Sequence, residues 1–290
     1  MEAEIEQLLR WVGRRQSQSD VFTTRLANEL AALLDQDPPP KAGACVPPLW
    51  HWSLFPELTP QSKLGADGHT ERGDFIPPVS LPQRLWAGSR LSFRRPLVVG
   101  RELHRRSEIV DVSAKRGRRG ELVIVRVLHQ VEDLDGPILT EQQDIVYCER
   151  PRASDPPREP LVAPAGSTWR QTVVPDPVLL FRYSAATFNA HRIHYDRQYT
   201  QLTEGYPALV VHGPLVATML VGLVCRSLPG STISTFAFRA IAPIFDDRPF
   251  HLCAQHTAAD PNIRVWVQDS DGFLCVDGQV TLAVGNATPP

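Results

Sequence analysis

HGPLVATMLVGLVCRSLPG, residues 212–230, reads as one helix with almost no polar face. Pro214 sits in a first turn, where a missing N–H costs nothing, and Pro229-Gly230 supplies a stop. Between them Leu215, Val216, Met219, Leu220, Leu223 and Val224 surround the axis. A helix that is apolar all round has to be buried. The chain downstream supplies the cover, because FRAIAPIFDDRPFHLCAQHT from Phe238 and NIRVWVQ at 262–268 read as strands, the latter an alternating run. A buried helix against an antiparallel sheet predicts an α+β layered fold.

The same strand pattern occurs earlier in the chain. VEDLDGPIL begins at Val131 and VQDSDGFLC at Val267, an offset of 136, and each carries an Asp-Gly turn signal ahead of an apolar strand start. Upstream of each lies an alternating run, ELVIVRVLHQ (121–130) or NIRVWVQ, and further upstream a Phe-Arg start at Phe93 or Phe238. Matching order over three segments indicates duplication. The stretch ERPRASDPPREPLVAPAG, about 150 to 165, is rich in Pro and charge and reads as a linker. The expected organisation is a half-domain over 1–155, with helices at 2–10 and 21–34, and a second over 156–290. The first half shows no equally clear central helix, only the aromatic stretch PPLWHWSLF. In the second, 176–188 reads as a helix and DRQYTQLTEG as a short one ending at Gly205.

Bulk properties exclude several classes. At 290 residues the chain holds one large or two medium domains, and a net charge of -2 argues against general nucleic-acid binding. The basic cluster Lys115–Arg119 fits a solvated hairpin tip, or a landing site for the phosphates of a ligand. Five scattered cysteines without a CxxC pair suggest free thiols in a reducing compartment. The acidic N-terminus resembles neither a signal nor a transit peptide, and no apolar run reaches membrane-span length. A soluble cytoplasmic protein without nucleic-acid or membrane partners is the expectation.

Chemistry concentrates in FNAHRIHYD, residues 188–196. His191-x-x-His194 alone is a poor metal signature, without HExxH or a cysteine pair, and no metal is expected. GxSxG, GxGxxG and Walker loops are also absent. Histidine as a residue type titrates near working pH, and beside His194 and His191 stand Asn189 and Asp196, which can orient an imidazole or hold a water, a set that suits general acid/base catalysis. The alternative is a polar loop in which Asp196 merely caps the helix that follows. His212-Gly213-Pro214 opens the apolar helix and leaves the Gly213 N–H unpaired at its positive end, suited to a developing oxyanion. Together these point to chemistry beside a carbonyl.

YSAATFNAHRIHYD followed by GYPALVVHGPLVATML resembles the MaoC-like, or (R)-hydratase, group of hotdog-fold enoyl-thioester hydratases and dehydratases. With PPLWHW, LGADGH, LPQRLWAG and TEQQDIVY in the first half, it is similar to the fused double-hotdog branch that includes mesaconyl-C4-CoA and itaconyl-CoA hydratases. The resemblance implies a tandem (double) hotdog, each half an antiparallel sheet wrapping a helix, with the first half degenerate. It implies a cofactor-independent hydro-lyase acting on an acyl-CoA, with CoA present only as part of the substrate, and a homodimer of double hotdogs. The substrate it suggests is a C5 dicarboxylic enoyl-CoA. The alternatives are a 3-hydroxyacyl-ACP or -CoA dehydratase of fatty-acid type and a non-catalytic acyl-thioester-binding module. By position His194 matches the family histidine, Asn189 falls where most relatives carry a catalytic aspartate, and His191 takes the place of their asparagine. His194, Asn189, His191 and Gly213 are therefore the catalytic candidates. Asp196, His212, Arg239, Arg84 and Trp86 are the substrate-binding candidates.

Overall fold

The computed structural model describes residues 2–36, 39–117, 120–150 and 159–283. Ten strands form one antiparallel sheet: β1 (Arg15–Val21), β3 (Gln83–Phe93), β5 (Glu102–Gly117), β6 (Gly120–Asp133), β7 (Gly136–Cys148), β8 (Trp169–Val173), β9 (Ile233–Ala240), β10 (Phe250–Gln255), β11 (Asn262–Asp269) and β12 (Leu274–Leu282). A short ribbon pairs β2 (Cys45–Val46) with β4 (Leu97–Val98). The helices are α1 (Glu2–Leu8), α2 (Thr24–Leu33), α3 (Pro177–Thr187), α4 (Arg197–Leu202) and α5 (Gly213–Ser227). None is long and apolar enough to cross a membrane.

The strand order β1-β5-β6-β7-β3-β9-β12-β11-β10-β8 is palindromic. From the central β3–β9 pair outward, each side presents its strands in the same sequence-relative order, so β6–β7 and β11–β12 are equivalent hairpins. The repeated Val131 and Val267 motifs occupy those two hairpins. At the seam Gly88 faces Arg239 and Ser89 faces Phe238. Gly88 has φ +155, and a Cβ there would lie 2.2 Å from the Phe238 carbonyl oxygen. Only glycine permits this approach of the two halves without backbone displacement.

In the second half the sheet wraps α5. Phe236, Leu252, Val265 and Val280 are fully buried in one cluster with Leu215, Leu220 and Val224 of the helix. At about 25 cal/mol per Å² of apolar surface removed from water, such a cluster is the main stabilising term of this half. The first half is built differently. α2 packs through Ala27, Leu30 and Ala31 against Phe22, Trp50 and Leu103, while the chain from 39 to 82, apart from the two-residue strand β2, runs in loops and single 3-10 turns. No helix equivalent to α5 is present there among the described residues. The face of β5, β6 and β7 that a helix would cover carries Arg105, His129, Glu141 and Gln143, which line an open cleft. Polar side chains at these positions cannot pack against an apolar helix, and the cleft takes its place.

The helix expected over 21–34 starts at Thr24, because Val21 completes β1 and Thr23 Oγ1 accepts the Leu26 N–H at 3.1 Å as an N-cap. The proline-rich linker lies largely at 151–158, outside the described residues, as does the boundary at 155/156. Arg118 and Arg119 of the basic cluster are also outside them, while Lys115 and Arg116 pair with Leu122 and Glu121 in the β5–β6 hairpin. Cys45, Cys225 and Cys253 are free thiols.

Candidate active site

The 188–196 loop is set by the end of α3. Asp176 caps that helix through a 2.7 Å bond to the Leu179 N–H, and Phe188, with φ +52, turns the chain out of it. Asn189 N–H then donates to the Ser184 carbonyl at 2.9 Å, and Asn189 Oδ1 accepts the His191 N–H at 2.9 Å. This tight turn delivers His191 and the 3-10 turn Arg192–His194.

A second loop, from the first half, docks onto it. Arg192 N–H donates to the Asp67 carbonyl at 2.9 Å, and the Arg192 guanidinium donates to the Ala66 carbonyl at 3.0 Å. Gly68 has φ +89, and a Cβ on it would fall 1.9 Å from the Ala190 carbonyl oxygen. The turn Gly65–His69 is thus pressed against the histidine loop, and the two halves build the site jointly.

The result is a row of four imidazoles. Ring centroids of His69 and His191 lie 4.1 Å apart, those of His191 and His194 5.3 Å, and those of His194 and His212 3.6 Å. Asp67 closes one end, with Oδ2 3.1 Å from His69 Nδ1, and Ser184 Oγ closes the other, 2.8 Å from His212 Nε2. His194 Nδ1 donates to the Val210 carbonyl at 2.7 Å, which leaves Nε2 as the proton-accepting nitrogen. Burial pushes His194 down to about 4, against the Val210 carbonyl and with the help of His69. Burial also drives His191 and His212 well below the normal histidine range, and their histidine neighbours add to it. Neutral rings in a dry row are proton acceptors.

Above the row, Asn189 and Pro214 line a cleft of about 740 Å³ together with His69, Trp86, Phe55 and Phe181. Gly213 is exposed, with open space where a Cβ would point, so the N-terminus of the 15-residue helix α5 is uncovered at this wall. Arg84 also lines the cleft, and its guanidinium has no hydrogen-bond partner among the described residues. Burial works against its charge, but Tyr147, Glu57 and Asp67 outweigh that and raise its pKa. A charged fork donor without a partner, facing a cavity, is a site for a carboxylate or phosphate.

The floor of the cleft is a polar network around Glu141, which is 3% exposed. Its carboxylate accepts from Ser89 Oγ at 2.6 Å and Trp52 Nε1 at 3.0 Å, with His51 Nε2 at 3.4 Å. Burial opposes its charge, yet His51, His129 and Ser89 hold its carboxyl at about 2. A depressed folded value stabilises the protein above the unfolded value near 4.5 and loses that contribution as pH falls towards 2. Glu141→Gln is therefore expected to destabilise the fold by on the order of 3 kcal/mol at pH 7 and to flatten stability against pH between 4.5 and 2. Urea unfolding across that range reads both effects.

The sequence candidates are distributed unequally over this geometry. Asn189, Arg84 and Trp86 line the cleft, Gly213 directly precedes the lining Pro214, and His191 and His194 stand in the row behind it, His191 beside Asp67 and Arg84 in a small adjoining pocket. Trp86 donates to the Gly88 carbonyl and Ser89 Oγ, each at 3.0 Å, and serves as wall. Three substrate-binding expectations are corrected. His212 is 0% exposed and sealed behind His194. Asp196 caps α4 at the Tyr199 N–H and pairs with Arg192, so both of its oxygens are engaged. Arg239 follows buried Phe238 on β9 and points outward to solvent, away from the cleft. Sequence reading missed Asp67, His69, Ser184 and Glu141. The first two stand in the LGADGH segment, whose Asp-x-His spacing was the available signal. Asp67, His69 and His191 also place donor atoms within 4.8 Å of one another, but Asp67 and His69 are bonded together and Arg84 nearby opposes a cation.

Two fused halves, each a sheet of five strands, have the fold of solved MaoC-like and double-hotdog structures. The chain belongs to the hydroxyacyl-thioester dehydratase type 2 family, whose model matches residues 49–246. It is 44% identical over 276 residues to the mesaconyl-C(4)-CoA hydratase of Chloroflexus aurantiacus, covering 94% of this chain and 96% of that one. It is 28% identical over 239 residues to the mitochondrial hydroxyacyl-thioester dehydratase type 2 of Schizosaccharomyces pombe, covering 72% and 78%. A solved MaoC-like dehydratase superposes with a TM-score of 0.71 at 15% identity, over 95% of this chain and 99% of its own.

Proposed function

We propose that the protein hydrates an enoyl-CoA whose acyl group carries a second, free carboxylate, with mesaconyl-C4-CoA giving citramalyl-CoA as the leading case and itaconyl-CoA as the other C5 candidate. The observation that carries this reading is Arg84, a guanidinium on the cleft wall beside the histidine row with no hydrogen-bond partner among the described residues. In mesaconyl-C4-CoA the free carboxylate is borne by the β-carbon, the carbon that receives the hydroxyl. An anchor for that group therefore belongs close to the base.

His194 Nε2 takes a proton from water as the water oxygen bonds to the β-carbon. The π pair moves towards the thioester and forms an enolate, which the Gly213 N–H at the start of α5 holds. A donor of this kind contributes on the order of 3 kcal/mol to barrier lowering. Asn189 has its oxygen engaged with the His191 N–H and offers its NH₂ to the incoming water. Protonation of the α-carbon completes the addition. This scheme requires no cofactor, since CoA arrives with the substrate.

The fatty-acid dehydratase reading draws on the apolar part of the cleft, with Leu54, Phe55, Phe75 and Ile76, and on the family description. Mesaconyl-C4-CoA, itaconyl-CoA and crotonyl-CoA, offered separately and followed by mass spectrometry for gain of one water, separate the alternatives. Preferred hydration of a C5 dicarboxylic thioester is expected. Preference for crotonyl-CoA would move the assignment to the fatty-acid type, and no hydration of any would leave a thioester-binding module.

A further inference from the structure

Hydration of an enoyl thioester moves two protons: one leaves the water oxygen, and one arrives at the α-carbon. His194 accounts for the first. The 188–196 loop offers nothing for the second. Asn189 cannot hold a proton, and both oxygens of Asp196 are engaged in the α4 cap and the Arg192 pair. His191 has no acceptor against either ring nitrogen among the described residues, and His212 is sealed.

We infer that His69, oriented by Asp67 on the Gly65–His69 turn of the first half, is the second catalytic acid/base, exchanging its Nε2 proton with the substrate α-carbon. This rests on reading the cleft as a thioester hydration site. The Asp67 carboxylate binds the turn twice, accepting the His69 N–H at 3.0 Å and facing His69 Nδ1 at 3.1 Å. With Nδ1 committed to the carboxylate, Nε2 is the nitrogen left for chemistry, and His69 lines the same cleft as Asn189. The turn is fixed to the histidine loop by the Arg192 bonds, by the glycine-only approach of Gly68 to Ala190, and by the ring contact with His191.

The two imidazoles have different hydrogen-bond partners, a carboxylate at His69 and a backbone carbonyl at His194. His194 has a neutral carbonyl for a partner and stacks on another imidazole, so it rests as a base. His69 has a carboxylate partner, which stabilises its protonated form. In the free protein burial lowers the His69 pKa and Arg84 adds to that, against Asp67 and Glu57, which favour protonation; His191 and His194 are the other titratable groups around it. A substrate carboxylate paired with Arg84 offsets that opposing charge, so the bound substrate itself favours the acid form of His69. In hydration, His194 gains the water proton and the C–O bond forms at the β-carbon. The enolate then takes a proton from the His69 imidazolium, forming the α C–H bond and leaving His69 neutral. The proton on His194 returns to His69 through solvent, and the net change is addition of one water. In the reverse direction neutral His69 removes the α-proton.

The test uses the full-length protein and whichever of the three thioesters it hydrates fastest. His69→Gln is expected to lower kcat by about 100-fold or more, with KM changed only a few-fold. The hydrated product, incubated in D₂O, should exchange its α-hydrogen with the wild type and with His194→Gln, but not with His69→Gln. Asp67→Asn should slow both hydration and exchange and shift the acid limb of the exchange pH profile downward, with Asp67→Glu recovering part of the loss. Thermal unfolding of each variant separates misfolding from loss of the proton site, and the near-isosteric Asp67→Asn carries the test if His69→Gln does not fold. His69→Gln turnover within about threefold of wild type, or α-exchange that survives in it, overturns the inference alone. Activity abolished by EDTA and restored by zinc also overturns it, since Asp67 and His69 would then hold an ion. A wild type inert towards all three thioesters removes the function reading and this inference together.

Discussion

His194→Gln is expected to reduce kcat for thioester hydration by 10²- to 10⁴-fold, the range for removing a positioned general base. The side chain is nearly isosteric, and its amide can still donate to the Val210 carbonyl that now binds His194 Nδ1. Lost activity would therefore report the missing proton acceptor and not a rearranged loop. The wild type has its own pH signature. With His194 held at about 4, the neutral base persists through mildly acidic pH, and the His194 contribution to activity falls only as pH approaches that value. Stability moves oppositely to activity in sensitivity. Below the unfolded histidine value near 6.5 the unfolded chain binds a proton that the folded His194 refuses, so stability declines from 6.5 towards 4 by about 1.4 kcal/mol per pH unit for this group. The decline should be shallower in His194→Gln. Stopped-flow hydration assays and urea unfolding on one pH series measure both, and near-normal turnover in the variant would remove His194 from the chemistry.

Arg84→Met should change selectivity more than any other single substitution in the cleft. A hydrogen bond to a charged group contributes about 1.5–3 kcal/mol, or roughly 10- to 150-fold in kcat/KM for a dicarboxylic thioester. Crotonyl-CoA has no free carboxylate and should lose little. In the free protein Tyr147, Glu57 and Asp67 favour the Arg84 charge over the cost of burying it, so Met is expected to lower the melting temperature modestly. A loss confined to dicarboxylic thioesters distinguishes a substrate anchor from a structural arginine, whose removal would slow turnover of both thioesters alike. An unchanged preference between the two thioesters would sink the assignment.

Much of the fold was legible because periodicity is a local property. The apolar ring of residues on α5, the alternation in β6 and β11, and the Asp-Gly turns at matching offsets each constrain a short segment. The degenerate first half was also legible in part, since His129, Glu141 and Gln143 stand on the inward face of β6 and β7 where a helix-covered sheet needs apolar residues. The HRIHYD loop announced itself through composition. The roles within it did not, because Asp196 reads identically as a cap or as a catalytic carboxylate until its partners are seen.

The sequence by itself determined the layered α+β class, the duplication, the apolar central helix of the second half and the loop that carries the chemistry. Each follows from side-chain pattern within one segment. Only the tertiary structure decided that Asp67 and His69 stand against His191 across 122 residues of chain (191 minus 69), that Arg84 faces the cleft, and that Arg239 faces solvent. Those facts depend on the pairing of β3 with β9 and on the docking of one loop onto another. Such long-range contacts are set by the packing of the whole sheet, and no local pattern encodes them.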